Sequence, residues 1–348
     1  MRLSISSRFA LGASAIVLLA GCSTGGSQVG PQRGVDVAGQ SAARLATTVV
    51  NGTSIVLPVG VRVGAARRHV TGYMKGVDAL TRLAYIDDFV NSFVAVYDRN
   101  GTQVGTITNG IVNPGGIFVD GSRNLWVANG GGRNIVEYPR GATSPTNTLN
   151  DPAGQPYDVT MCPNGTVYVS NLNGQNGKTG TIQVYAPGSV NPTGTLVYPG
   201  ELTNYMITCD AQGNVFTSLY NGSSIVVEYP GGNQSGAIAL PIPLTFPGGI
   251  KPDNAGNILV EDPSAQTITE YTEAGVPTGN AINTGPGSNW LNFAVTRNSR
   301  VVLGPDQALL KGTSRTFPAG ALRQTYLSSS FALPVGAAFD PGQKGISP

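Results

Sequence analysis

The chain has 348 residues, of which 48 are Gly and 24 Pro, so about a fifth of its positions are turn formers, while Asp, Glu, Lys and Arg together make up 11%. An average globular domain carries roughly 25% charged residues, and this composition argues against a helical bundle. Hydrophobic residues at 40% are enough for a core and too many for a disordered chain, which leaves short strands joined by turns.

The first residues read as an address. Arg2 and Arg8 mark a short positive region, and the apolar run from Phe9 to Ala20 is too short to span a membrane as an ordinary helix. It closes on Leu19-Ala20-Gly21-Cys22, which resembles the bacterial lipobox. That resemblance implies a signal peptide over 1–21, a diacylglyceride on the Cys22 thiol, and a membrane anchor made of acyl chains instead of a span. Ser23 after the cysteine is similar to the outer-membrane sorting pattern of such lipoproteins, so the expected location is the bacterial cell envelope, at the outer membrane. Removal of the signal leaves 19 basic and 19 acidic residues, a net charge of zero that disfavours nucleic acid as a partner. The Gly, Ser, Gln and Ala-rich stretch up to residue 45 reads as a flexible linker. Residues 46–78, with a strand expected from Ser54 to Leu57 and the cluster Arg67-Arg68-His69, have no clear place in the pattern.

From residue 79 onward the chain repeats. Ile117 to Asn129 and Ile250 to Asp262 both read as a short strand, an Asp-led turn and a second strand of β-formers, with related copies at Val159 to Asn171, Ile207 to Leu219 and Phe293 to Pro305. A third strand after each copy ends on an aromatic: Tyr97, Tyr138, Tyr185, Tyr229, Tyr271 and Phe317, at intervals of 41, 47, 44, 42 and 46. That period belongs to four-stranded propeller blades, and a fourth strand fits segments such as Pro192 to Leu196. The expected fold is all-β, a six-bladed β-propeller over 79–342. Its first blade is completed by the C-terminal strand Pro334 to Asp340, which closes the ring and removes a free edge. A seventh blade built from 46–78 is the alternative. Asp120, Asp210 and Asp253 are expected in turns, and the repeated tyrosines between blades.

Trp126-Val-Ala-Asn129 followed by Asn134-Ile-Val-Glu-Tyr138, and Tyr168-Val-Ser-Asn171 followed by Thr181-Ile-Gln-Val-Tyr185, are similar to the NHL repeat and to the six-bladed propellers of the SMP-30 and gluconolactonase group. Arg133 is the one arginine at the position before a third strand where that pattern expects one. The resemblance implies a site where inner strands start and second strands end, around the mouth of the central channel. Second-strand ends supply Asp87, Asn129, Asn171 and Asp262, with Asp88, Tyr220, Glu261 and Asp306 beside them; inner-strand starts supply Tyr157, Asp158, Asn204, Asn289 and Trp290. Such a ring of oxygen donors suits a divalent cation such as Ca²⁺, with Asp87, Asp158, Asn204 and Asp262 as the candidate ligands and Asn129, Asn171, Glu261, Asp306 and Trp290 as secondary ones. The competing reading is structural, because Asn and Asp at strand ends commonly cap turns.

The single histidine, His69, precedes the repeats, which disfavours a Ser/His/Asp triad, a multi-histidine zinc site and the histidine-dependent lyases built on propellers. No catalytic residue is assigned. Cys162 and Cys209 are either a disulfide or two buried small hydrophobes; neighbouring inner strands diverge, which weighs against the bridge. Three functions remain in view. The leading one is a monomeric, lipid-anchored binding or scaffold module for protein, peptide or glycan. The others are a metal-dependent lactone or ester hydrolase, and a structural envelope protein with a mouth plugged by Trp290 and Tyr220.

Overall fold

The computed structural model describes residues 45–50, 53–58, 63–64, 70–78, 81–174 and 179–341. The signal, lipidation and linker expectations, Cys22 included, lie outside the described residues, as does His69.

Six antiparallel blades of four strands form the propeller ring. Blade one pairs Pro334–Asp340 with Leu83–Asp88, followed by Phe93–Asp98 and Gln103–Ile107, so the C-terminal strand supplies the inner position. Blades two to five run in plain chain order, starting from Pro114–Val119, Gly154–Met161, Thr203–Cys209 and Ile250–Pro252. Blade six is Ala294–Val295, Val301–Asp306, Lys311–Thr316 and Leu322–Tyr326.

Among the described residues, 46–78 do not build the alternative seventh blade. Leu45–Val50 and Thr53–Pro58 form a two-stranded hairpin, and Tyr73–Met74 adds to the outer edge of blade one as a fifth strand. Neither piece carries the strand count of a blade, and the edge strand covers backbone that would otherwise be open to pairing.

Burial explains why the strands read as continuous runs of β-formers. Phe93 to Tyr97 is buried at every position, because each blade packs face to face against both neighbours. Six apolar clusters fill the six seams, and the aromatic that ends each third strand belongs to one of them: Tyr97, Tyr138, Tyr185, Tyr229, Tyr271 and Phe317. The repeated aromatic is therefore the packing element between blades. The Tyr138 and Tyr185 hydroxyls donate to the carbonyls of Asn109 (2.6 Å) and Asn150 (2.9 Å), which satisfies their polar ends.

Turns follow the residue types. Asp210 accepts from the backbone N–H groups of Gln212 (2.9 Å) and Asn214 (2.8 Å), and Asp253 does the same for Ala255 (2.7 Å) and Asn257 (2.8 Å). Asp120 accepts from the Asn124 N–H (2.8 Å) and also from the Trp126 indole (3.0 Å).

Cys162 and Cys209 form a disulfide, with Cα atoms 5.3 Å apart. Both sit at the ends of inner strands in one seam cluster, between blades three and four. The divergence of neighbouring inner strands, which weighed against pairing in the sequence, does not keep these two Cα atoms apart.

Candidate functional site

The inner strands begin with an irregular step. Pairing shifts register between Pro334 and Ala337, Pro114 and Ile117, Pro156 and Asp158, and Asn204 and Ile207. Each bulge re-aims one or two residues toward the axis. In blades one and two those places are glycine because the space is taken: a Cβ at Gly116 would lie 1.8 Å from Asp158 Oδ1, and one at Gly336 would lie 2.5 Å from Asp87 Oδ2.

Asp158 stands at the centre of this layer. Its Oδ1 accepts from the Val159 N–H (2.9 Å), and its Oδ2 accepts from the Ile207 N–H of the next blade (3.1 Å) and from the Asn292 amide of blade six (3.4 Å). Lys251 Nζ lies 3.9 Å from the same oxygen. Asp87 is fully buried; one oxygen accepts from the Val335 and Gly336 N–H groups at 3.2 and 2.9 Å, and Oδ2 accepts nothing. Glu261 is equally buried, with both carboxylate oxygens unpartnered.

Burial sets the protonation of these groups. It pushes Asp87 well above the ordinary carboxylate range, against the two backbone donors that pull it down and with the Asp88 and Asp158 charges that push it further. Glu261 is pushed well up by burial too, with the Asp262 and Asp306 charges adding to the rise and the Lys251 ammonium opposing it. For Asp158 burial raises the pKa while Lys251 opposes it, so the layer holds one paired carboxylate and two carboxyls biased toward the neutral form.

The other candidates have local work. Asp262 accepts from the Thr245 N–H and hydroxyl, each at 2.6 Å, and from Ser264 and Ala265 N–H groups at 3.1 Å. Asp306 accepts from the Ser288 hydroxyl (2.7 Å) and from Ala308 and Leu309 N–H groups (3.1 and 3.0 Å). Asn129 accepts from the Val112 N–H and donates to the Gly110 carbonyl at 2.8 Å. Asn171 donates to Asp151 (3.0 Å), and Asn204 donates to Glu201 (2.7 Å) while accepting from the Thr217 hydroxyl. Asp88 holds the Ala332 and Leu333 N–H groups at 2.6 and 2.8 Å. The strand-end Asn and Asp residues act as caps.

These oxygens do not converge as a ligand set. Among the described residues no group of three or more His, Cys, Asp or Glu side chains is placed to hold a metal ion. The donors nearest the axis share their space with an ammonium, the reverse of what a divalent cation requires.

Above this layer the mouth is filled with side chains. Tyr157, Tyr205, Phe246, Phe89, Leu291 and Val335 are all buried in one cluster, with Leu57 of the N-terminal hairpin among them at 2% exposure. Tyr205 meets Tyr157 edge-on at 6.0 Å and Phe246 at 5.3 Å. Tyr220 packs against this cluster, but Trp290 does not; it lies in the seam between blades five and six, over Gly304, where any Cβ would strike its ring. The plug thus joins Tyr157 and Tyr220, which the sequence placed at the mouth, to Phe89, Phe246 and Leu57, which carried no repeat signal. Below the layer, a cavity of about 40 Å³ lies along the inner strands, lined by residues such as Val159, Thr208, Lys251 and Val295.

A larger opening lies elsewhere. A cavity of about 570 Å³ lies between blades six and one at the opposite ends of the strands, bordered by Arg82, Arg99, Arg297 and Arg323. The sequence reading missed it, since these arginines belong to turns of two blades far apart in the chain.

No protein-family model matches the chain, and no curated protein matches it. Solved structures do. The nidogen/laminin complex aligns with a TM-score of 0.62 at 11% identity, covering 75% of this chain and 99% of that one. A protein of unknown function from Bacteroides caccae aligns at 0.57 and 12% identity, covering 74% and 98%. A catalytically inactive histidine-to-alanine form of virginiamycin B lyase from Staphylococcus aureus, with quinupristin, aligns at 0.55 and 13% identity, covering 85% and 94%. Fold and neighbours together define a six-bladed β-propeller. At 11–13% identity the likeness is one of fold.

Proposed function

We propose that this chain is a lipid-anchored, extracytoplasmic β-propeller of the bacterial envelope that works as a binding or scaffold module for protein, peptide or glycan. The observation that carries this reading is the filled mouth: Tyr157, Tyr205, Phe246 and Phe89 pack in one buried cluster over the carboxyl layer, where a hydrolase of this architecture would need room for substrate. The nidogen/laminin neighbour supports it as a propeller found in a protein complex. The lyase neighbour is described as inactive once a histidine is replaced, and this chain has one histidine, His69, ahead of the repeats. The anchor is supported by Leu19-Ala20-Gly21-Cys22 after an apolar run.

Two measurements test the reading. Full-length protein on a mixed glycan, peptide and envelope-protein array should capture a saturable ligand, and a panel of lactones and esters should show no turnover above blank. Turnover lost on Glu261→Gln would overturn the proposal. For the anchor, Cys22→Ser should abolish acyl labelling and move the protein from the membrane to the soluble fraction; unchanged labelling would contradict it.

A further inference from the structure

We infer that the closed mouth is a docking face for an extended apolar peptide, and that the chain's own N-terminal arm occupies it in cis. This deepens the binding-module reading and rests on it. Among the described residues, Leu45–Val50 and Thr53–Pro58 pair with each other as a sheet separate from the six blades. A lone two-stranded hairpin is marginally stable in water, so the arm depends on what it touches on the ring.

Its grip is short. The Leu57 side chain, 2% exposed, joins the apolar cluster of Phe89, Tyr205, Phe246 and Leu333, and half-buried Val63 packs on the same cluster. The Gly64 N–H donates to the Ala332 carbonyl at 2.7 Å. There the two backbones lie flush: a Cβ on Gly64 would stand 2.9 Å from Ala332 Cα and 3.1 Å from its carbonyl oxygen. The other groups of that segment are in use, since Asp88 holds the Ala332 and Leu333 N–H groups and the Phe89 N–H donates to the Leu333 carbonyl at 2.9 Å. Ring closure thus leaves the Ala332 carbonyl as a main-chain acceptor for a segment lying across the mouth.

These contacts specify the occupant: an aliphatic side chain for the cluster and, seven residues on, a glycine whose N–H meets Ala332. An extended peptide supplies both, with affinity from the main chain and specificity from the anchor. The arm leaves the site incompletely satisfied, because the Tyr157 hydroxyl in this cluster is buried and unpartnered. A buried hydroxyl without a partner is costly, and a peptide that offers it an acceptor gains over the arm. The exchange takes place over the plug, whose rings stay packed: Tyr205 meets both Tyr157 and Phe246 edge-on.

The test is fluorescence anisotropy of a labelled synthetic peptide of residues 53–64, titrated with the detergent-solubilised full chain. The Leu57→Asp chain, its arm released, should bind the peptide at least tenfold more tightly than the parent, and so should Gly64→Val. The peptide carrying Leu57→Asp should bind no chain. Both chain variants should still melt cooperatively, because the arm lies outside the blades. Binding no tighter in the two variants than in the parent, or binding that survives Leu57→Asp in the peptide, overturns the inference. Loss of the cooperative transition in Leu57→Asp overturns it as well, since Leu57 would then be core of the ring. If the array captures a ligand that the parent and both variants take up equally, the cis occupant falls and the binding-module reading stands. A blank array with released chains that still bind the peptide removes the binding-module reading and leaves the arm's dock.

Discussion

The two ends of the propeller use charge in opposite ways. At the mouth, carboxyl groups are withdrawn from water under a lid of aromatic rings, and their oxygens hold backbone N–H groups of the bulged inner strands. At the other end, arginines stand in solvent around an open seam. The first arrangement ties neighbouring blades together at the narrow centre of the ring. The second keeps charge at the surface where two blades meet. Within that layer Asp158 is engaged through both oxygens, while Asp87 Oδ2 and both Glu261 oxygens accept nothing.

Substitutions should separate the two ends. The largest effect is expected at the plug, where Tyr205→Ala removes a fully buried ring and should cost about 3–5 kcal/mol in denaturant unfolding. A loss below 1 kcal/mol would mean the mouth is not core. Next is the link between blades three and four. Replacing Cys162 and Cys209 together by Ala should cost about 2–4 kcal/mol, since the bridge closes a loop of 47 residues in the unfolded chain. Equal stability of oxidised and reduced protein would contradict it.

The pH dependence comes third. Burial raises Asp88 to about 6 and Glu201 to about 7, both above their values in an unfolded chain. The unfolded chain then gives up these protons first, so stability should fall as pH rises from about 4 to about 7, on the order of 2–3 kcal/mol per group. Glu201→Gln should flatten part of that slope; an identical slope would show that Glu201 is not a contributor. The smallest effect belongs to the open end: Arg323→Gln should change stability by less than about 0.5 kcal/mol. A larger loss would make that arginine part of the fold.

Fold was legible in the sequence because it is repeated. A third-strand aromatic every 41 to 47 residues counted the blades, and the stray strand Pro334 to Asp340 revealed the closure, both from local pattern alone. The site was not, because its parts occur once. The sequence pointed to strand-end Asn and Asp residues such as Asn129, Asp262 and Asp306, which turn out to hold turns. Asp158 and Glu261 did come to the axis, but nothing in their spacing showed that Lys251 and Asn292 would meet Asp158 there from other blades. The plug drew on Phe89, Phe246 and Leu57, none in a repeated position, and the arginines of the seam became neighbours only through ring closure.

Hydrogen exchange on the full chain tests the central claim most directly. The Ile207, Val335 and Gly336 amides donate to buried carboxylates beneath the plug. A closed mouth predicts that they exchange only through global unfolding, slower by orders of magnitude than amides in the Asp98 turn. Exchange of those three amides at the rate of that turn would mean the mouth opens to water, and would return the channel to the list of candidate sites.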